Sequence, residues 1–116
     1  MSAYQNVTPN QLSQAALTTS YATLYTAPTN PTTPTRTYIK QIDVCNTTGG
    51  ALTFNLHIVP ATFSAGTTNA LFYSQTVAAN STFSYAGVQV MQTLSFISAK
   101  ASGTGLTITI SGGEAV

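Results

Sequence analysis

The residues from 52 to 59 alternate between apolar and mostly polar side chains, and this alternation is the feature that most constrains the fold. The apolar positions are Leu52, Phe54, Leu56 and Ile58. A period of two is the pattern of a β-strand that buries one face. The same period recurs over residues 106–110, and no segment carries the full apolar stripe of an amphipathic helix. The sequence therefore predicts an all-β protein.

Further strands are predicted between clusters of Gly, Pro, Asn and Ser, which favour turns. They cover residues 17–26, 36–46, 71–77 and 94–99, with a short strand at Phe83 and Tyr85 and a bend at Gly87. Seven or eight short strands at a spacing of roughly ten residues indicate a single antiparallel β-sandwich or jelly roll. The prolines between residues 28 and 34 predict an exposed loop, and residues 112–116 are predicted to form a loose tail.

The N-terminal composition sets the domain division. Residues 1–16 are mostly polar and contain Pro9, so we predict that they form an N-terminal arm. Residues 17–116 are predicted to form the β-sandwich domain. Because a polar arm can become ordered when it binds a partner, we expect this arm to be a docking element.

The chain carries very few charges, which favours a protein that packs against other protein. Three side chains are basic and two are acidic among 116 residues, whereas threonine occurs 22 times. A typical domain has about a quarter of its residues charged. Edge strands are usually protected by charge, above all by lysine. The edges of this sandwich must therefore be covered in another way, and we expect a homo-oligomer, with a trimer as the first choice.

Several partners and compartments are not expected. Three scattered cations cannot make the multiple phosphate contacts that drive nucleic-acid binding. No run of 18 apolar residues predicts a membrane-spanning helix, and the N-terminus does not have the pattern of a secretory signal. The single Cys45 fits synthesis in a reducing host cytoplasm.

The titratable residues do not predict catalysis. His57 is placed by the alternation on the polar face of its strand, where we expect it to face solvent or an interface. Asp43 is the only carboxylate in the body of the strands, so a hydrolase triad would depend on a contact between these two residues. Cys45 has no supporting constellation and is expected to act as a small apolar residue. We predict a protein that is not an enzyme, with no cofactor and no metal site.

The candidate interaction residues come from the arm, the start of the domain and the strand over residues 36–46. They are Tyr4, Leu12, Leu17, Arg36 and Lys40. Arg36 and Lys40 are two of the few charges and are candidates for contacts with a partner subunit. The six tyrosines could stack on sugars, but they are spread along the chain, so most are expected in the core or in a subunit interface.

Several segments resemble small structural proteins of tailed bacteriophage virions. They are LYTAP at 24–28, RTYIKQIDVCNT at 36–47, LHIVP at 56–60, NALFY at 69–73 and ITISGG at 108–113. The likeness covers roughly residues 17–113 and consists of strand and turn patterns. It implies a β-sandwich protein located on the virion, such as a capsid decoration protein, a head-fibre base, or a neck or tail component.

The sequence and this resemblance together predict a capsid decoration (cement) protein. Its expected partners are the major capsid protein or other virion proteins, and its expected location is the virion after synthesis in the host cytoplasm. The alternative is a component of the neck, the tail or a head fibre that acts as a receptor- or glycan-binding module. A tyrosine patch clustered on loops would favour this alternative, and a flat apolar face opposite the loops would favour the decoration protein.

Overall fold

The computed structural model describes residues 7–28 and 36–115, and these residues are almost entirely β-structure. They form eight strands and one short 3₁₀ turn at Thr67–Asn69. The strands are β1 (Val7–Ala16), β2 (Ala22–Thr26), β3 (Arg36–Asn46), β4 (Leu52–Val59), β5 (Ala70–Val77), β6 (Ser81–Met91), β7 (Phe96–Ala101) and β8 (Leu106–Ala115). Within this described part, no helix has the length and apolar character needed to cross a membrane.

The strands form two antiparallel sheets that pack face to face. Sheet A has the order β1-β8-β3-β6, and sheet B has the order β2-β7-β4-β5. Consecutive strands mostly alternate between the sheets, which is the arrangement of an eight-stranded jelly roll. The predicted all-β sandwich is therefore confirmed. The predicted bounds of β3 and β4 agree with the structure. β4 is one alternating run that ends before Pro60, and β3 ends at the turn residue Asn46, although a register shift between Ile39 and Gln41 interrupts its alternation.

The core lies between the inner faces of the two sheets. Sheet A contributes Ile42, Val44, Ile108 and Ile110, and sheet B contributes Phe54, Leu56 and Ile97. All of these side chains are almost completely buried. Fully burying each one stabilises the fold by roughly 1.5–3 kcal/mol. Because the inner positions of β4 and β7 belong to this core, the alternate positions on the same strands face outward.

An aromatic cluster closes the side of the sandwich where β5 passes to β6. Phe72 on β5 lies with its ring centroid 5.1 Å from that of Phe83 and 5.5 Å from that of Tyr85, both on β6. Phe54 on β4 completes the cluster at 5.7 Å from Phe83. Edge-to-face pairs of this kind add about 0.5–1.5 kcal/mol each beyond burial. The cluster therefore holds the outermost strands of both sheets together.

The N-terminal segment differs from the arm predicted over residues 1–16. Residues 7–16 form β1, which pairs with β8 along its length, and Leu12 enters the core. Pro9 is compatible with this strand because β1 is an edge strand, where a missing N–H donor can be tolerated. Residues 1–6 lie outside the described part of the chain. The predicted loose tail is also wrong up to Ala115, because β8 continues to this residue between β1 and β3.

The turn after β3 is organised by a buried asparagine. The Asn46 side-chain amide donates to the carbonyl oxygens of Gly50 at 2.9 Å and Val77 at 3.1 Å. Its Oδ1 accepts from the backbone N–H of Thr48 at 2.9 Å and from the Thr48 hydroxyl at 2.7 Å. Asn80, in the β5–β6 turn, has a left-handed backbone with φ of 54°. Both asparagines thus lie at turns, in agreement with the turns predicted at clusters of Gly, Pro, Asn and Ser.

Candidate interaction surfaces

The structure separates the five predicted interaction residues. Leu12 and Leu17 are buried in the core, so they hold the sandwich together instead of facing a partner. Arg36 is half-buried at the start of β3, and Lys40 is exposed further along this strand. Tyr4 lies outside the described residues. The N-terminal arm is predicted to be a docking element, but Leu12, which lies at the register shift between Gln11 and Ser13, is buried in the core.

A shallow depression lies on the outer face of sheet A. Its lining is mostly apolar and consists of Pro9, Tyr38, Val88, Gly112 and Gly113, together with Lys40. Its volume is about 420 Å³. We call it the sheet A depression. Of the predicted interaction residues, Lys40 is the one that lines it, and its charge is the only one among the lining residues.

The strand β6 extends this apolar surface to the edge of sheet A. Val88 and Val90 are 54% and 49% exposed, and β6 contains neither a charged residue nor a proline. In the described structure β6 pairs with β3 on one side and with no strand on the other. A long, uncharged edge strand with exposed valines is a ready template for contact with another protein.

A polar groove lies on the outer face of sheet B. Its main lining residues are Thr19, Thr53, Asn55, Tyr73, Ser74 and Lys100. Its volume is about 430 Å³. We call it the sheet B groove. Asn55 on β4 and Lys100 on β7 are directly opposite each other in the antiparallel register, which brings their side chains together on this face.

His57 is buried beside this groove and does not face solvent, so the predicted exposure of its side chain is wrong. Its Nδ1 lies 2.9 Å from Asn69 Oδ1, and its Nε2 lies 2.9 Å from the Tyr21 hydroxyl. The segment before β2 supplies Tyr21, and the connection between β4 and β5 supplies Asn69. Both segments fold over the outer face of β4, and together they bury a position that the alternation alone places outside.

The partners of His57 determine which atom donates in each of its hydrogen bonds. Asn69 Oδ1 accepts from the Gly66 N–H at 3.0 Å, and its amide nitrogen donates to Ser64, so His57 Nδ1 must donate to Oδ1. In the neutral imidazole, Nε2 then accepts from the Tyr21 hydroxyl. The Tyr21 oxygen accepts in turn from Asn55 Nδ2 at 3.2 Å. Each hydrogen bond in this network has one donor and one acceptor. Together these bonds fix the Tyr21 ring beside the groove.

A charged side chain is held against the same ring. Lys100 Nζ lies 4.9 Å from the centroid of Tyr21, a cation–π contact. The Tyr21 and His57 rings meet edge to face at 5.2 Å, and the His57 and Tyr73 rings meet at 6.4 Å. Two tyrosines and one lysine are thus grouped around a buried histidine, although they are far apart in the sequence.

A β-bulge sets the direction of Tyr73. The register between β4 and β5 shifts between Phe54 and Leu56, and Ser74 has a left-handed backbone with φ of 52°. The Ser74 N–H donates to Asn55 Oδ1 at 2.7 Å, which holds the bulge in place. Bulges commonly redirect side chains next to binding sites. A left-handed serine costs conformational energy, so the surrounding contacts must maintain it.

A polar bridge joins the two sheets at the side of β2. The Tyr25 hydroxyl donates a hydrogen bond to the Glu114 carboxylate and lies 3.1 Å from the Thr37 hydroxyl. Burial of Tyr25 and its hydrogen bond with Glu114 raise the pKa of the tyrosine to about 12. One of the two acidic side chains in the chain is therefore used to connect sheet B to sheet A.

The candidate catalytic residues lie in different parts of the fold. Asp43 is on β3 in sheet A, where both of its carboxylate oxygens accept from Gln41 Nε2, whereas His57 is on β4 in sheet B and bonds to Tyr21 and Asn69. Cys45 is half-buried on β3. Among residues 7–28 and 36–115, no three potential metal-binding side chains lie together.

The sequence reasoning missed the residues of the sheet B groove and the tyrosine beside it. Tyr21, Asn55, Tyr73 and Lys100 come from four separate segments of the chain. The one signal in the sequence is the position of Asn55, which the alternation of residues 52–59 places on the outward face of β4. The opposition of Asn55 and Lys100 depends on strand order, which the sequence pattern does not provide.

No family model matches the chain. No curated protein matches it either. Among solved structures, it is similar to a protein of the Bacillus endospore appendages, which form disulfide-linked pili. That likeness has 10% identity and a TM-score of 0.50, and covers 95% of this chain and 88% of that chain. The structure of infectious bursal disease virus, Gx strain, aligns at 12% identity and a TM-score of 0.48, over 98% of this chain and 32% of that chain. At these identities the likeness shows the fold alone.

Proposed function

We propose that the chain is a non-enzymatic structural protein of a tailed-bacteriophage virion, and that it decorates and stabilises the outer surface of the assembled head. The observation that carries this proposal is the outer face of sheet A, where the apolar depression runs into the uncharged edge of β6. The resemblance of residues 17–113 to virion proteins supports the same assignment. The similar Bacillus protein forms pili, so this fold also occurs in a protein of a larger assembly.

The mechanism is non-covalent burial of this face against capsid subunits. Val88 and Val90 are about half-exposed, so covering them adds part of the 1.5–3 kcal/mol that a fully buried valine contributes. The free edge of β6 can also add a strand of the partner, because main-chain hydrogen bonds give affinity without requiring charge. The added contacts must break before the capsid opens. Copies of the chain could cover remaining edges by closed homo-oligomerisation.

A second candidate is a neck, tail or head-fibre component that binds a receptor or glycan. The grouping of Tyr21, Tyr73 and Lys100 around the sheet B groove favours it, because aromatic faces and hydrogen-bonding side chains together suit a sugar. The two candidates use opposite faces of the sandwich, so they can be tested separately.

Immunogold electron microscopy on the parent particles locates the protein. With an antibody raised against residues 17–116, gold over the whole head is expected for a decoration protein. Gold confined to the neck, the tail or a single vertex would favour the second candidate. If intact particles are unlabelled and purified virions also lack the protein, the virion assignment is contradicted.

A matched pair of variants tests the docking face. Val88→Glu places a charge in the sheet A depression, and Phe63→Glu places the same charge at another exposed apolar residue, in the connection between β4 and β5. Desolvating an unpaired carboxylate is costly, so Val88→Glu should weaken co-sedimentation with particles that lack the protein by at least roughly tenfold. Phe63→Glu should bind as the wild type does. Equal binding of both variants would contradict docking through this face.

A further inference from the structure

The sheet B groove has features of a binding site that docking through sheet A does not use. The outer faces of two packed sheets point in opposite directions, so a partner on sheet A leaves this groove open. Its volume of about 430 Å³ lies within the range of small-ligand sites. This volume suits one or two sugar rings. The inference that follows deepens the second candidate function, glycan binding, by naming the ligand class, and it does not depend on decoration through sheet A.

Tyr21 lies beside the groove and is fixed before any ligand arrives, and Tyr73 lines the groove itself. The Tyr21 hydroxyl is held by His57 and Asn55, and its ring packs on the buried imidazole. Tyr73 is 59% exposed and is aimed by the bulge at Ser74. A rigid tyrosine presents a broad apolar face at little entropic cost, which is the requirement for stacking on the C–H face of a sugar ring.

The polar part of the groove has unused hydrogen-bonding capacity. The hydroxyls of Thr19, Thr53 and Ser74 line the groove and make no hydrogen bond within the described residues. Asn55 uses one amide hydrogen on Tyr21 and accepts one bond from Ser74, which leaves one donor and one lone pair. Clustered hydroxyl and amide groups that can both donate and accept match the hydroxyls of a saccharide.

The charge of the groove selects an anionic ligand. Lys100 lines it, and its ammonium group forms no ion pair within the described residues. The two acidic side chains of the chain are both engaged on sheet A, Asp43 with Gln41 and Glu114 with Tyr25. No carboxylate side chain of the protein therefore neutralises Lys100. A carboxylate of the ligand would form a charge-assisted hydrogen bond with it.

We propose that the sheet B groove binds a saccharide unit that carries a carboxylate. The sugar ring stacks on Tyr73 beside the fixed Tyr21, its hydroxyls bond to Asn55 and the neighbouring threonines, and its carboxylate pairs with Lys100. The groove is open, so a single unit binds weakly, with a Kd on the order of a millimolar. Several copies on one particle would bind a polysaccharide much more tightly through multivalency.

The test is an NMR titration of the ¹⁵N-labelled protein with glucuronic acid, with glucose as the neutral counterpart and acetate as the isolated carboxylate. Glucuronic acid should shift the amide signals of Asn55, Tyr73 and Lys100 with millimolar affinity. Glucose and acetate should each bind roughly tenfold more weakly or worse. No shift of these signals with glucuronic acid, or equal affinity for either counterpart, would overturn the proposal.

Two groove variants and one control identify the contacts. Lys100→Gln should reduce the affinity for glucuronic acid roughly tenfold and remove its advantage over glucose, and Tyr73→Ala should abolish measurable binding of both sugars. Both side chains are on the outer face, so the fold should be retained, which the amide spectrum itself reports. Val88→Glu should leave the affinity unchanged. Wild-type affinity in both groove variants would refute the site, whereas loss of particle binding by Val88→Glu alone concerns only the proposed function.

Discussion

Gly112 on β8 lies opposite Ile39 of β3, and adding a single methyl group there should strongly destabilise the protein. A Cβ atom at Gly112 would meet the carbonyl oxygen of Tyr38 far inside 3.0 Å, a separation that real Cβ atoms essentially never show. It would also lie 3.2 Å from the Cα of Ile39. Both neighbours are backbone atoms of β3, so neither can rotate away as a side chain would.

The expected loss in the free energy of unfolding follows from the displacement of β8 from β3. The strands would have to part locally by more than about 1 Å, and overpacking of this kind typically costs 1–3 kcal/mol. Separation would also weaken about two ladder hydrogen bonds, each worth roughly 1 kcal/mol. Because Gly112 pairs with Ile39 on one side and Asn10 on the other, relief on one side disturbs the other. We expect Gly112→Ala to reduce the free energy of unfolding by about 3–5 kcal/mol.

Urea unfolding followed by far-UV circular dichroism measures this loss, since the chain has no tryptophan to report by fluorescence. In thermal unfolding followed by the same signal, the melting temperature should fall by roughly 12–20 °C, at about 4 °C per kcal/mol for a domain of this size. Gly49→Ala is the matched control, because no atom lies within 4 Å of its added Cβ. If both variants are as stable as the wild type, residues 112–115 are a loose tail and the assigned pairing of β8 is refuted.

Three further perturbations test other parts of the structure. The pKa of Tyr25 is raised from 10.0 to about 12 by burial and by Glu114, so the folded state retains this proton longer than the unfolded chain. The free energy of unfolding should therefore keep this contribution below pH 10 and lose it as the pH rises toward 12. The urea midpoint of Tyr25→Phe should fall less than that of the wild type over this range. Asn46→Ala should cost about 3 kcal/mol, because it leaves the buried Val77 carbonyl without its donor; a loss below about 1 kcal/mol in urea unfolding would contradict this role. His57→Ala should cost about 3 kcal/mol by thermal unfolding, whereas a solvent-facing histidine would be neutral.

The sequence predicts the parts of the fold that depend on local pattern. The strand bounds of β3 and β4 follow from alternation and turn residues, and both are confirmed. The ends of the chain do not follow from local pattern. Pro9 and the glycines at 112 and 113 weaken strand propensity, but β1 and β8 form because each gains a partner strand from the opposite end of the chain. Tertiary pairing overrides propensity at these positions.

The sheet B groove depends on the same long-range pairing, so the sequence could not predict it. Tyrosines at 21 and 73 are 52 positions apart, and neither lies next to a charged residue in the sequence. Both rings contact His57, and because β7 lies between β2 and β4, Lys100 lies opposite Asn55 and near Tyr21. The burial of His57 has the same cause. Parity places its side chain outside the sandwich, and only the fold of two connecting segments covers it.

The four edge strands explain which surface is left for assembly when charge is scarce. β1 contains Pro9, β2 is only five residues long, and β5 is interrupted by the left-handed Ser74. Each of these features discourages the addition of another strand. β6 is 11 residues long, carries no charge and no proline, and exposes Val88 and Val90. β6 does carry a bulge, where its register with β3 shifts, but it is the longest edge strand and has neither charge nor proline to protect it. In a protein with three lysines and arginines in total, this is the edge that we expect a partner to cover, and β6 borders the face on which we place the capsid.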